Sequence, residues 1–126
     1  MPYKIMMSIV CIVPLIFSLA FVAIPEFFVL QWYPSAEGLA VEIAITHRYD
    51  MAGMLFMVVC FAFQSRKVEE VDNQKAILLG AAIAFSAICA VIISIALFRG
   101  IPLDIPPMIA TGTLAALSFW SRSKLS

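Results

Sequence analysis

Two long runs without any charge constrain the fold of this chain more than any other feature. Neither residues 5–24 nor residues 76–98 contain a charged side chain, and both runs are predominantly apolar. A helix needs roughly 20 apolar residues to cross a hydrocarbon core about 30 Å thick. Each run is therefore long enough to cross a membrane, and we interpret the first as a retained helix rather than a cleaved signal peptide.

The composition extends this conclusion to the whole chain. Of the 126 residues, 63% are hydrophobic and 13% are charged, with a mean hydropathy of +1.04, whereas about a quarter of a soluble domain is charged. We expect a single integral membrane domain over residues 1–126. Its spans are predicted at about residues 5–24, 39–64, 76–98 and 105–120, which makes the predicted fold an all-α, four-helix transmembrane bundle.

The segment after the first span is apolar but too short to cross. It runs from Phe27 to Pro34 and contains the pair Trp32-Tyr33. Tryptophan and tyrosine favour the headgroup zone of a bilayer. We therefore predict a short interfacial segment that caps the bundle.

The second span is the one place where ionisable residues enter an apolar helix. Its apolar run, residues 51–63, is too short to cross alone, so the preceding charged turns must complete the crossing. At about 100° per residue, one face of this helix carries four polar side chains and Arg48 lies on the opposite side. The four are Glu42, Thr46, His47 and Asp50.

Two interpretations of this polar face remain open. Ionisable residues inside a membrane are costly and normally face a bundle interior or a water-filled cavity, which predicts a ligand or proton site. Alternatively, this turn lies at headgroup level, where charge costs little. In that case Arg48 extends its side chain towards the headgroups or forms an ion pair with Asp104.

Small residues recur at every fourth position of the third predicted span. Such a stripe lets another helix backbone approach closely, and its serines can bond to backbone. We predict a helix-packing seam made of Ala82, Ser86, Ala90 and Ser94.

The basic residues predict the orientation. With four spans, one side of the membrane holds most of them, and such an excess is typical of the cytoplasmic side. We expect both termini in the cytoplasm, in the inner membrane if the source is bacterial. The net charge of zero argues against a nucleic-acid partner. The basic residues on that side are Lys4, Arg66, Lys67, Lys75, Arg122 and Lys124.

Motifs of established chemistry are missing from the sequence. It has one histidine and three cysteines without a C-x-x-C pair, which supports neither a metal site nor thiol-redox chemistry. It has no glycine-rich phosphate loop and no G-x-S-x-G elbow. No catalytic residue and no cofactor is predicted.

The order of segments resembles that of small four-helix bacterial membrane proteins. The resemblance consists of a first helix closed by Pro25, an aromatic interfacial stretch, and His47-Arg48 opening a helix that ends in Gln64-Ser65-Arg66-Lys67. It implies a fold and no substrate. The paired cysteines of quinone reductases and the first-helix glutamate of small multidrug exporters are both missing.

Three functions are compatible with these features. The first is a non-enzymatic accessory subunit, embedded in the lipid bilayer and docked on partner subunits or on copies of itself. The second is a small-molecule or proton-coupled carrier that uses Glu42, His47 and Asp50. In this case the flexible side chains of Met51, Met54 and Met57 would line the pocket beneath them. The third, an enzyme acting on a lipid or quinone, would need a second polar cluster facing the first.

Overall fold

Helices make up almost the whole of the described chain. The computed structural model describes residues 2–126, and over this range the chain forms five α-helices. They are α1 (Tyr3–Ala23), α2 (Pro25–Trp32), α3 (Leu39–Ser65), α4 (Val71–Arg99) and α5 (Ile105–Ser123).

The prediction of a four-helix bundle is wrong in its count. Residues 2–126 contain five helices, of which three, α1, α3 and α4, are long and apolar enough to cross a membrane. The segment predicted to lie in the interface is a helix of its own, α2, which begins at Pro25 because a first helical turn leaves its N–H groups unpaired anyway. The fourth predicted span exists as α5, but its prolines, polar residues and Arg122 leave it less apolar than a candidate span.

The helices pack as two antiparallel pairs. In the first pair, the Tyr3 hydroxyl of α1 donates to the Ser65 carbonyl of α3 over 2.8 Å, and the Ser18 hydroxyl donates to the Ala52 carbonyl over 2.8 Å. In the second, α5 runs back along α4. Contacts between α1 and α5 join the two pairs, whereas α3 and α4, although consecutive, are not a closely packed pair.

Two apolar cores lie at opposite ends of this arrangement. The larger is at the end where α1 begins, and it draws on α1, α3, α4 and α5. The smaller is at the other end, where α2 folds back over α1 and α3; it contains Phe21, Phe28 and Ala52.

The inward face of α3 follows a regular spacing. Its four fully buried positions, together with the half-buried Leu55 between them, fall at alternating intervals of four and three residues, which keeps them on one side of a helix. They are Arg48, Ala52, Leu55, Val59 and Ala62. Arg48 therefore occupies a core position of α3.

Gly100 ends α4 and turns the chain towards α5. Its φ of 63° and ψ of 21° lie in the left-handed region, which side chains with a Cβ rarely adopt. The turn brings Asp104, the residue that precedes α5, into the interior, where it is 4% exposed.

Candidate functional site

Arg48 is the centre of the polar interior at the α2 end of the molecule. The residue is only 4% exposed. Its guanidinium carbon lies 5.2 Å from the centre of the Phe21 ring and 4.9 Å from that of Trp32. Its Nη2 donates to the Phe28 carbonyl oxygen over 3.4 Å. Two aromatic faces and one carbonyl thus replace the water that a buried cation loses.

Asp104 is the second buried charge of this region. It lies between α4 and α5, outside the three candidate spans. Burial raises the pKa of the Asp104 carboxyl above its ordinary value, while the positive charge of Arg48 and the indole N–H of Trp32 act in the opposite direction. The buried Trp32 Nε1 nevertheless has no partner at hydrogen-bond distance within residues 2–126.

Arg48 and Asp104 attract each other without direct contact. Among the described residues, no basic nitrogen lies within 4.0 Å of the Asp104 carboxylate. In this range, the one pair of a basic nitrogen and a carboxylate oxygen within that distance joins His47 and Asp50. The ion pair suggested by the sequence therefore corresponds to two buried opposite charges separated by more than 4.0 Å.

A cavity of about 540 Å³ opens beside Arg48. It lies between α2, the connection at residues 33–36 and α3, and its wall is mainly apolar. Its polar lining includes Trp32, Tyr33, Ser35, His47 and Arg48. Pockets of about 300–1,000 Å³ with apolar walls and a few convergent polar groups are the usual form of small-molecule sites.

The polar face predicted from the sequence lies on the outside of α3. Glu42, Thr46, His47 and Asp50 are all exposed in the isolated chain. His47 Nδ1 lies 3.9 Å from Asp50 Oδ2, with both side chains about 70% exposed (74% and 67%), and the Thr46 hydroxyl donates to the Glu42 carbonyl. Of the four, only His47 lines the cavity.

The predicted seam on α4 divides into a buried and an exposed part. Ala82 is completely buried, whereas Ser86, Ala90 and Ser94 are exposed. The Ser94 hydroxyl donates to the Ala90 carbonyl of its own helix.

Of the two aromatic partners of Arg48, Trp32 was singled out from the sequence as an interfacial residue and Phe21 was not. Phe21 is in the middle of an apolar run, where nothing distinguishes it from its neighbours. Arg48 could have been placed from its spacing, because it continues the Ala52, Leu55, Val59 pattern by one further step of four. That pattern also predicts that Arg48 faces α1.

The site offers hydrogen-bond donors and enclosed apolar surface rather than reactive groups. Within residues 2–126, no group of three or more histidine, cysteine or acidic side chains is arranged to hold a metal ion. Arg48, the Trp32 indole and the Tyr33 hydroxyl are donors at or beside the cavity. They suit a molecule that carries a hydrogen-bond acceptor.

Comparison with known proteins adds no relative. No family model, no curated protein and no solved structure matches the chain. The fold itself gives the class, because three helices long and apolar enough to span a bilayer indicate a helical membrane protein.

Proposed function

We propose that this protein is a non-enzymatic membrane protein that binds a small, mostly apolar molecule in the cavity beside Arg48. The observation that carries the proposal is Arg48, an arginine only 4% exposed, at the wall of a 540 Å³ cavity.

The expected ligand has an acceptor group and an apolar body. A carboxylate or a carbonyl oxygen would meet Arg48, and the apolar remainder would lie against Val29, Ile43 and Met51. The methionine suits variable ligands because its flexible thioether fills irregular gaps. A long-chain carboxylate and a quinone are the two simplest molecules of this kind.

Tryptophan fluorescence tests the proposal. The chain has two tryptophans, so Trp120→Phe leaves Trp32 as the only reporter, at the cavity wall. Titration of this variant in mild detergent with myristate and with decylubiquinone is expected to give a saturable change for at least one of them.

A pair of matched variants makes the test specific. Ala44 lines the cavity, so Ala44→Phe is expected to fill it and abolish saturation. Ala87 is exposed on α4, so Ala87→Phe adds the same side chain elsewhere and is expected to leave the titration unchanged. A linear response to both probes, or saturation that survives Ala44→Phe, would contradict the proposal.

An accessory subunit is the second candidate function. It is favoured by how little of the membrane helices the chain itself covers. In the most apolar 18-residue window of each helix, 17% of the residues of α3 and 22% of those of α4 are buried. On the exposed face of α3, a Cβ at Gly53 would meet no atom within 4 Å. A partner helix could approach closely there.

Substitutions on this face separate partner binding from lipid contact. Gly53→Leu is expected to abolish the assembly seen by native mass spectrometry, while the neighbouring Met54→Leu, at a position 65% exposed, is expected to preserve it. A monomer in every mild detergent, or an assembly insensitive to Gly53→Leu, would argue against this function.

We further propose that the end where α1 begins faces the cytoplasm. Six basic residues and three acidic residues belong to this end, and two basic and five acidic residues to the other. Because α5 runs antiparallel to α4, Arg122 and Lys124 lie at the same end as Lys4. Labelling of single cysteines placed at Lys4 and Lys124 is expected to require a membrane-permeant reagent in intact cells, whereas labelling of both by an impermeant reagent would exclude this orientation.

A further inference from the structure

The basic end of the molecule contains a second pocket. It has a volume of about 410 Å³, and its lining consists of Lys4, Phe63, Arg66, Lys67 and Glu69. The three basic residues come from segments about sixty positions apart in sequence. They meet because α1 runs antiparallel to α3, held at this end by the hydrogen bond from the Tyr3 hydroxyl to the Ser65 carbonyl.

The positive charge in this pocket is only partly compensated. Glu69 is the one acidic residue in the lining, and no carboxylate lies within 4.0 Å of Lys4, Arg66 or Lys67 among residues 2–126. Lys4 is in the first turn of α1, where the helix dipole adds partial positive charge. The pocket therefore attracts an anion.

Arg66 is fixed in place and has an unused donor. Its guanidinium carbon lies 5.8 Å from the centre of the Phe63 ring, which restricts the side chain. Its Nε is buried and has no hydrogen-bond partner in the part of the chain that the structure describes, so a ligand in the pocket would meet the terminal Nη groups. Arginine donors arranged in a rigid fork are well suited to phosphate oxygens.

We propose that this pocket binds a phosphate group, supplied by the headgroup of an anionic phospholipid. Lys4 begins one candidate span and Arg66 follows the end of another, so the pocket lies at the level where headgroups occur. Basic pockets between helix ends at that level are a recurrent form of lipid site. Phe63, which is 51% exposed, gives the acyl chains an apolar surface beside the phosphate. The site is independent of the cavity at Arg48.

Native mass spectrometry measures this preference directly. The purified full chain is exchanged into mild detergent with equimolar phosphatidylglycerol and phosphatidylcholine, and retained lipid is counted. Retention of phosphatidylglycerol is expected to exceed that of phosphatidylcholine. Each basic residue near a phosphate contributes a factor of about five, so Arg66→Gln with Lys67→Gln is expected to reduce the preference roughly 25-fold.

A second double variant provides the control. Arg122 and Lys124 are exposed at the same end of the molecule but do not line the pocket. Arg122→Gln with Lys124→Gln removes the same net charge and is expected to change the preference less than twofold. Circular dichroism establishes that both double variants are folded. Equal losses in the two variants, or no preference in the folded wild type, would overturn the proposal.

Competition with inorganic phosphate identifies the source of the group. If the lipid supplies it, millimolar phosphate leaves phosphatidylglycerol bound, since the acyl chains add affinity. If a soluble phosphate is the natural ligand, inorganic phosphate displaces the lipid from wild type, and the pocket variant binds neither. Chloride at matched ionic strength controls for screening. Displacement by chloride to the same extent as by phosphate would show that the pocket does not recognise phosphate.

Discussion

The two buried charges at the α2 end allow a quantitative test through a double-mutant cycle. Arg48→Met and Asp104→Asn each remove one charge, and the double variant removes both. Either single change leaves the other charge in an interior that is 4% exposed, without its main countercharge. Because burial raises the pKa of Asp104 in spite of Arg48, the ionised carboxylate is held at a net cost, and Asp104→Asn alone is expected to be nearly neutral. Arg48→Met is expected to be destabilised, and the two effects are not additive.

The size of each effect follows from the contacts. Removing one partner of a buried pair costs about 3–5 kcal/mol, and the low end applies because the charges are more than 4.0 Å apart. Arg48→Met also loses two aromatic contacts, which the methionine sulfur partly replaces. We expect a loss in the free energy of unfolding of about 3 kcal/mol for Arg48→Met. For Asp104→Asn we expect a change of less than about 1 kcal/mol, because the asparagine removes a carboxylate whose burial is unfavourable.

The double variant is expected to lose about 1 kcal/mol, less than Arg48→Met alone, because it leaves no unpaired buried carboxylate. At 4 Å and an effective dielectric constant of about 20, two unit charges interact by roughly 4 kcal/mol, which is an upper bound at the longer separation here. A coupling of about 2 kcal/mol lies within this bound. Unfolding in mixed micelles, monitored by circular dichroism, gives the free energy of unfolding of the parent, both single variants and the double variant.

A matched cycle on the surface controls for general charge effects. Arg99 and Glu37 are both exposed, so Arg99→Met and Glu37→Gln are expected to be nearly neutral and additive. If Arg48→Met and Asp104→Asn also add within about 0.5 kcal/mol, the two charges do not interact and the reasoning about this interior is refuted.

Three further outcomes are expected. Burial raises the pKa of Asp104, so the folded state binds a proton more readily than the unfolded state. The melting temperature should therefore fall as the pH rises from the ordinary aspartate pKa towards the raised one. Thermal melts at a series of pH values should show this slope in the parent and no such slope in Asp104→Asn. Ser18→Ala should lower the free energy of unfolding by about 1 kcal/mol, because a buried bond between α1 and α3 is lost, whereas Ser94→Ala, which removes a bond within one helix, should change it by less. Gly100→Ala should cost about 1 kcal/mol in the same assay, since its φ of 63° strains any residue with a Cβ.

The three long apolar helices were predictable from the sequence. Their cause is local: uncharged or nearly uncharged segments of sufficient length must form helices in lipid, where every backbone group needs a partner within its own segment. The observed α3 begins at Leu39 and ends at Ser65, within one residue of the predicted limits. No tertiary information was needed for these helices.

The helix count was not predictable from length and hydropathy. Residues 25–32 are too few to span a membrane, and they contain the adjacent aromatic residues Phe27 and Phe28. This pattern indicates an interfacial segment but does not indicate whether that segment is helical. Their helical form depends on packing of Phe28 against the Phe21 ring, with centroids 4.9 Å apart. That contact joins two elements and leaves no periodic signal in the sequence.

The rotation of α3 about its axis was the hardest feature to predict. In a soluble protein, polar residues mark the outer face of a helix, but in a membrane protein an apolar surface can face either lipid or the interior. The ionisable residues of α3 are therefore expected to face the interior, and Arg48 does face it. Glu42 and Asp50 lie outward instead, and the spacing from Arg48 to Ala62 is the signal that distinguishes the two faces.

Binding by two sets of α3 variants tests most directly whether the cavity at Arg48, rather than the outward polar face, holds the ligand. The Trp32 fluorescence titration is repeated with Arg48→Lys and Arg48→Gln and, separately, with the double variant Glu42→Gln, Asp50→Asn, each checked for folding by circular dichroism. Both Arg48 variants are expected to bind at least tenfold more weakly, because a bidentate donor is lost, while the outward-face variant binds as the parent does. Unchanged binding in the folded Arg48 variants, together with loss in the outward-face variant, would contradict the assignment.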